Sequence, residues 1–88
     1  MVTQKVQIIN PTGLHLRPAG IFCQEAMKYT SSIKFHYGAS GTANAKSVLS
    51  VLGACIKSGD EIEIVCEGED EEEALKALVA LVENGFGE

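Results

Sequence analysis

Asn10-Pro11-Thr12-Gly13-Leu14-His15-Leu16-Arg17-Pro18-Ala19 is the stretch in which one periodicity gives way to another. Before it, Val6 and Ile8 share one face and Lys5 and Gln7 the other, so Val2 to Ile9 reads as a strand. Asn10-Pro11 with Gly13 behind it is turn chemistry and breaks that strand. After it, Ala19, Phe22, Cys23, Ala26 and Met27 recur at three- and four-residue steps, which predicts a helix from Leu16 to about Tyr29. Pro18 fits the first turn, where a backbone N–H would have no intrahelical acceptor anyway. His15 therefore stands where a helix begins.

The rest of the chain follows from the same two periods. Thr30-Ser31-Ser32 breaks the helix, and Ile33, Phe35 and Tyr37 alternate with Lys34 and His36 as a half-buried strand. Gly38 to Gly41 turns the chain into a short strand, Thr42 to Ala45, giving a hairpin with a four-residue loop. Ser47 caps a short helix to about Ala54, striped by Val48, Val51, Leu52 and Cys55. Ser58-Gly59-Asp60 is a turn, and Ile62, Ile64 and Cys66 alternate with Glu61, Glu63 and Val65 in a last strand. Gly68 to Asp70 connects it to a helix carrying Ala74, Leu75, Leu78, Val79 and Val82 on one side; Asp70 with Glu73 fits an acidic capping box, and Asn84-Gly85 stops the helix. The order β-α-β-β-α-β-α predicts an α+β fold, an open-faced two-layer sandwich with a four-stranded antiparallel sheet and helices on one face. Residues 1–88 are expected to form a single domain.

Composition narrows the function classes. Seven basic against twelve acidic residues give a net charge of −5, which leaves no basic footprint for gripping nucleic acid. No apolar run approaches the ~20 residues of a membrane span, and the expected location is the cytoplasm. The densest acidic run is Glu67 to Glu73, while Arg17, Lys28, Lys34, Lys46 and Lys57 lie earlier, so the His15 end favours an anion. Cys23, Cys55 and Cys66 lack metal-ligand spacing and continue apolar patterns, so all three are expected as buried free thiols, with no metal and no cofactor.

The chemistry of the opening stretch is that of a nucleophile beside an anion cradle. A helix start offers unpaired N–H groups and the positive end of the helix dipole. Here these are the amides of Leu16 and Arg17, with the Arg17 guanidinium suited to phosphate oxygens. An imidazole is a neutral nucleophile at physiological pH and can take up a phosphoryl group; a plain polar cap is its competing role. Thr12, three residues earlier, could reach the ring or the phosphoryl oxygens, or serve only the turn. Gly13-Leu14-His15-x-Arg17-Pro18-Ala19 resembles the active-site signature of the histidine-containing phosphocarrier protein (HPr) family of the bacterial sugar phosphotransferase system. Leu16 departs from that pattern, which usually has a small residue or Thr there.

The resemblance covers the whole chain and implies four strands covered by three helices, with His15 and Ser47 near one another at one end. It implies a phosphocarrier that is not itself an enzyme, taking the phosphoryl group from enzyme I on His15 and passing it to IIA domains of sugar permeases. Lys46-Ser47-Val48-Leu49 resembles the family's regulatory-serine segment, which implies a serine kinase/phosphorylase acting at Ser47 and a catabolite-control transcription factor as partner. A purely regulatory module controlled at Ser47 is the alternative, and a small phosphatase of the acylphosphatase type a third reading. Leu49 lies a quarter-turn off its helix stripe and is the candidate exposed contact, with Leu16, Gly20, Val48 and Leu52 completing the expected partner surface of a monomer. Glu88 is a family-guided partner for Arg17, and His36 is expected as solvated surface.

Overall fold

A computed structural model describes residues 1–87. Its elements are β1 (Val2–Gln7), α1 (Leu16–Ala26), β2 (Ser32–Tyr37), β3 (Gly41–Asn44), α2 (Val48–Gly53), β4 (Glu61–Glu67) and α3 (Glu71–Glu83), followed by a 3-10 turn at Gly85–Gly87. The strands form one antiparallel sheet in the order β1-β4-β2-β3. The α+β sandwich expected from the alternation is the one observed.

Register explains why the alternation was legible. Ile64 pairs with Gln4 on one side and Phe35 on the other, and Phe35 pairs with Ala43. Ile62, Ile64 and Cys66 thus line up with Phe35 and Ile33 on the helix-covered face, all of them buried. The opposite face carries the row Lys5, Glu63, His36 and Thr42, which places a base next to an acid across neighbouring strands. His36 is exposed, with Nδ1 3.0 Å from the Thr42 hydroxyl oxygen. On the covered face Phe22 of α1 meets Phe35 edge-on at 5.9 Å, and Phe86 closes on Phe22 at 6.1 Å. α3 lies against β1 and β4, and α2 against β3 and α1.

Several boundaries differ from the pattern-based ones. β1 ends at Gln7, because Ile8 bonds instead to the turn before β4, donating to the Asp60 carbonyl and accepting from Gly59. α1 ends at Ala26, where Lys28 and Tyr29 switch to three-residue bonds, donating to the Glu25 and Ala26 carbonyls. The hairpin loop has three residues, 38–40, since Gly41 pairs with Tyr37 inside the ladder. A Cβ on Gly41 would lie 2.5 Å from the Tyr37 ring, so a side chain there would oblige that ring to move.

Two side chains behave differently from expectation. Cys23 and Cys66 are buried, and burial pushes the Cys66 thiol up to about 11. Cys55 is exposed: α2 ends at Gly53, and Cys55 adopts φ +55 beyond its end, so the helical stripe no longer governs where its thiol points. Asp70 does stand at the start of α3, yet its carboxylate makes no capping bond there and the capping box with Glu73 does not form. It crosses to the loop before β2, accepting from the Ser31 hydroxyl and from the N–H groups of Thr30 and Ser31, each amide at 2.9 Å. Glu71 supplies a reciprocal bond instead, its Oε1 accepting from Gly68 N–H.

The Ser31 hydroxyl and the Thr30 amide hold the Asp70 carboxyl at about 2, below its ordinary 3.8. A depressed carboxyl stabilises the fold fully above its unfolded value and loses that contribution as pH falls through the folded one. Asp70→Asn is therefore expected to lower the urea midpoint near neutral pH, with the gap to the unmodified protein closing as pH falls from about 3.8 towards about 2. A gap that stayed constant across that window would remove the carboxylate from the account.

Candidate functional site

The geometry around His15 is set from both sides. Asn10 to Gly13 form a β-turn closed by Gly13 N–H donating to the Asn10 carbonyl at 3.1 Å, with Pro11 in its second position. The Asn10 side chain, 2% exposed, donates from Nδ2 to the Gly13 carbonyl at 2.7 Å and to the Thr12 hydroxyl at 3.2 Å. Gly13 has φ +65, and a Cβ there would sit 2.5 Å from the Ile56 carbonyl oxygen. Leu14 is buried and donates its N–H to that same oxygen at 3.0 Å. The turn is thereby fixed against the segment that follows α2.

His15 comes next, as the N-cap of α1, with extended dihedrals of −81° and −167°. Its side chain is exposed and makes no capping bond, so the polar-cap role is unfilled. Its carbonyl accepts the first helical bond, from Ala19 at 2.8 Å. The N–H groups of Leu16 and Arg17 precede that bond and have no intrahelical acceptor, and Pro18 has no N–H to offer. An exposed imidazole, two helix-start amides and an exposed guanidinium occupy three successive residues.

Thr12, Leu14, His15 and Leu16 form one side of an open groove of about 470 Å³, and Leu52, Cys55, Ile56 and Lys57 form the other. Its walls are mainly apolar, with Lys57 as the one cation and no carboxylate among its described lining residues. Thr12 serves the turn, its hydroxyl accepting from Asn10 Nδ2, and it also lines the groove. Arg17 makes no ion pair with a described residue; the expected contact with Glu88 lies outside the described residues. Leu16 is 65% exposed and Leu52 half-buried, so the groove brings these two together. Gly20 has open space around it one turn along α1.

Ser47 lies elsewhere. It is the N-cap of α2, its hydroxyl accepting from Ser50 N–H at 3.2 Å. The groove touches the opposite end of that helix, whose six residues span roughly 9 Å. His15 and Ser47 thus stand towards the two ends of this short helix. Val48 and Leu49, 38% and 82% exposed, stand beside Ser47 and outside the groove. Lys46 is turned away, its ammonium donating to the Tyr29 carbonyl past the end of α1 at 2.7 Å.

Reading the sequence missed Asn10, Ile56 and Lys57 as parts of this site. Asn10 carried a signal, an amide three residues before a glycine across a proline turn. Ile56 acts through its carbonyl, which no side-chain pattern reports. Among the described residues no three His, Cys, Asp or Glu side chains gather as a metal site, and no helix is long and apolar enough to cross a membrane.

Residues 2–84 match the family model described as the PTS HPr component phosphorylation site. The chain is 41% identical over 83 residues to the HPr-like protein Crh of Bacillus subtilis, covering 94% of this chain and 96% of that one. It is 40% identical over 82 residues to the phosphocarrier protein HPr of Mycoplasma pneumoniae, covering 91% and 93%. The crystal structure of HPr-C-His from Thermoanaerobacter tengcongensis superposes with a TM-score of 0.96 at 42% identity, over all of this chain and 98% of that one.

Two glycine exchanges test the seating of the groove. Gly13→Ala combines a strained φ with a collision at the Ile56 carbonyl and is expected to cost about 1–3 kcal/mol. Cys55→Gly relieves a left-handed backbone in an L-residue and is expected to be neutral or to stabilise by up to about 1 kcal/mol. Urea unfolding of both variants checks the two signs.

Proposed function

The chain belongs to the HPr family of phosphocarriers of the phosphotransferase system, and from that premise we propose that His15 accepts a phosphoryl group from phosphorylated enzyme I and delivers it to IIA domains of sugar permeases. The observation that carries the reading is an exposed, uncapped imidazole at the start of α1 beside two helix-start amides and Arg17. A ring nitrogen attacks phosphorus as the donor's bond to it breaks, and a P–N bond forms. The Leu16 and Arg17 amides, the Arg17 guanidinium and the positive helix end stabilise the transferring dianion; Thr12 lies within the same groove. No carboxylate lines the described groove to activate water, which favours carriage over hydrolysis and over a phosphatase reading. Such a carrier works in the cytoplasm, with no cofactor of its own.

Ser47 is the proposed regulatory site, modified by a serine kinase/phosphorylase. A phosphate there would bring about −2 charge next to Val48 and Leu49, in the surface proposed to meet partners together with Leu16, Gly20 and Leu52. The second reading, a regulatory module that binds a catabolite-control transcription factor, draws support from the similarity to the HPr-like protein Crh. A module that only bound partners would have no use for an uncapped imidazole at a helix start, so carriage is the first reading.

Phosphorylation with enzyme I and phosphoenolpyruvate tests it. His15→Ala is expected to take up no label, and Arg17→Ala to transfer on the order of a hundredfold more slowly. The label should be lost in acid and kept in base, as a phosphohistidine is; label retained by His15→Ala would end the proposal. For Ser47, kinase and ATP should add one phosphate by mass, absent in Ser47→Ala.

A further inference from the structure

We propose that Asn10 is a positioning residue for His15, its buried carboxamide fixing the direction from which the His15 imidazole meets a phosphoryl donor. The proposal rests on the carrier reading for its rate measurement and on geometry for the rest. Asn10 grips Gly13 at both polar groups: its carbonyl accepts from Gly13 N–H at 3.1 Å, and its Nδ2 donates to the Gly13 carbonyl at 2.7 Å. The second Nδ2 bond goes to the Thr12 hydroxyl, so three of the four residues of the turn are tied by one side chain. Gly13 is the last residue with a left-handed backbone before the helix, and its ψ sets the heading of Leu14 and His15.

Among the described residues, Asn10 is the side chain that holds the Gly13 carbonyl. His15 itself is exposed and makes no capping bond, so its placement comes from the backbone on either side, α1 after it and the turn before it. Leu14 N–H on the Ile56 carbonyl fixes one point of that backbone, and a single point leaves a rotation free. The Asn10 clamp supplies the second point. At 2% exposure the carboxamide is out of competition with water, which makes its loss felt at the groove, while the surface that a partner meets stays as it was. A misplacement on the scale of an ångström suffices to slow a bound reaction by up to ~100-fold.

The experiment compares the unmodified protein with Asn10→Ala and with Asn10→Asp, which keeps the volume and replaces the Nδ2 donor by an acceptor. Steady-state phosphorylation by enzyme I, run where each variant is folded by circular dichroism, is expected to show kcat lowered at least tenfold with KM within twofold. Backbone ¹⁵N relaxation is expected to show added mobility at His15, Leu16 and Arg17 with α3 unchanged. In the unmodified protein the Asn10 side-chain NH₂ protons are expected to exchange with solvent more slowly than those of the exposed Asn44. A folded variant with kcat within twofold of the unmodified protein overturns the proposal, because a merely structural asparagine would lower stability and leave kcat alone. Unprotected Asn10 protons overturn it too, whether or not the variants fold. Should the unmodified protein take up no phosphoryl group at all, the carrier reading fails by itself; the relaxation data then decide the positioning role, loosened amides supporting it and unchanged ones ending it.

Discussion

The carbonyl oxygen of Ile56 is the point on which the molecule's exposed chemistry depends. It accepts the Leu14 amide at 3.0 Å and leaves no room for a side chain on Gly13. His15 is exposed, yet Leu14 before it and Ala19 one turn after it are buried. A side chain can stand free in solvent with a defined bearing only when the backbone on either side is anchored in the core. A free loop would pay the ordering cost of that bearing each time a partner arrived.

The anchor on the far side is aromatic. Phe22 sits between Phe35 of the sheet and Phe86 after α3, both close to edge-on, so α1 is fixed in position along the sheet. Phe86 reaches this place with φ +56, a conformation that an L-residue adopts at a cost of order 1–2 kcal/mol. Full burial of a phenylalanine stabilises by roughly 1.5–3 kcal/mol, enough to hold it there. Gly85 and Gly87 on either side, also at positive φ, let the chain make the turn. The end of the described chain thus supports the helix whose start carries His15.

The elements that were legible in the sequence are those fixed by side-chain period: the alternation of β2 and β4, the stripes of α1 and α3, and the turn before His15. Fold class followed, since that order of periods packs in few ways. What was not legible depends on backbone partners or on contacts distant in sequence. Asp70 has the composition of a cap, but Thr30 and Ser31, about forty residues earlier, offer three donors against which local capping loses. Cys55 continues a helical stripe on paper, and only the end of α2 at Gly53 shows that the stripe has stopped. That His15 and Arg17 stand at a helix start was readable because a helix start is a local event. Their relation to Ser47 was not, because it depends on which end of α2 faces α1.

That relation decides where a phosphate on Ser47 could act. With α2 roughly 9 Å long, its charge would lie about one Debye length, at ~0.1 M salt, from the far end of the helix, where the groove begins. Through water at about 10 Å, a charge of about −2 and a unit charge interact by only ~0.8 kcal/mol before screening, about a factor of four in any equilibrium at the imidazole. A like charge brought directly against an approaching acidic surface costs several kcal/mol. The larger effect would fall on the proposed docking face around Val48 and Leu49, so such a modification would change which partners reach His15 more than it changes the reactivity of the ring. On the proposed function, chemistry and its control would stand towards opposite ends of one short helix, coupled through whatever partner spans both.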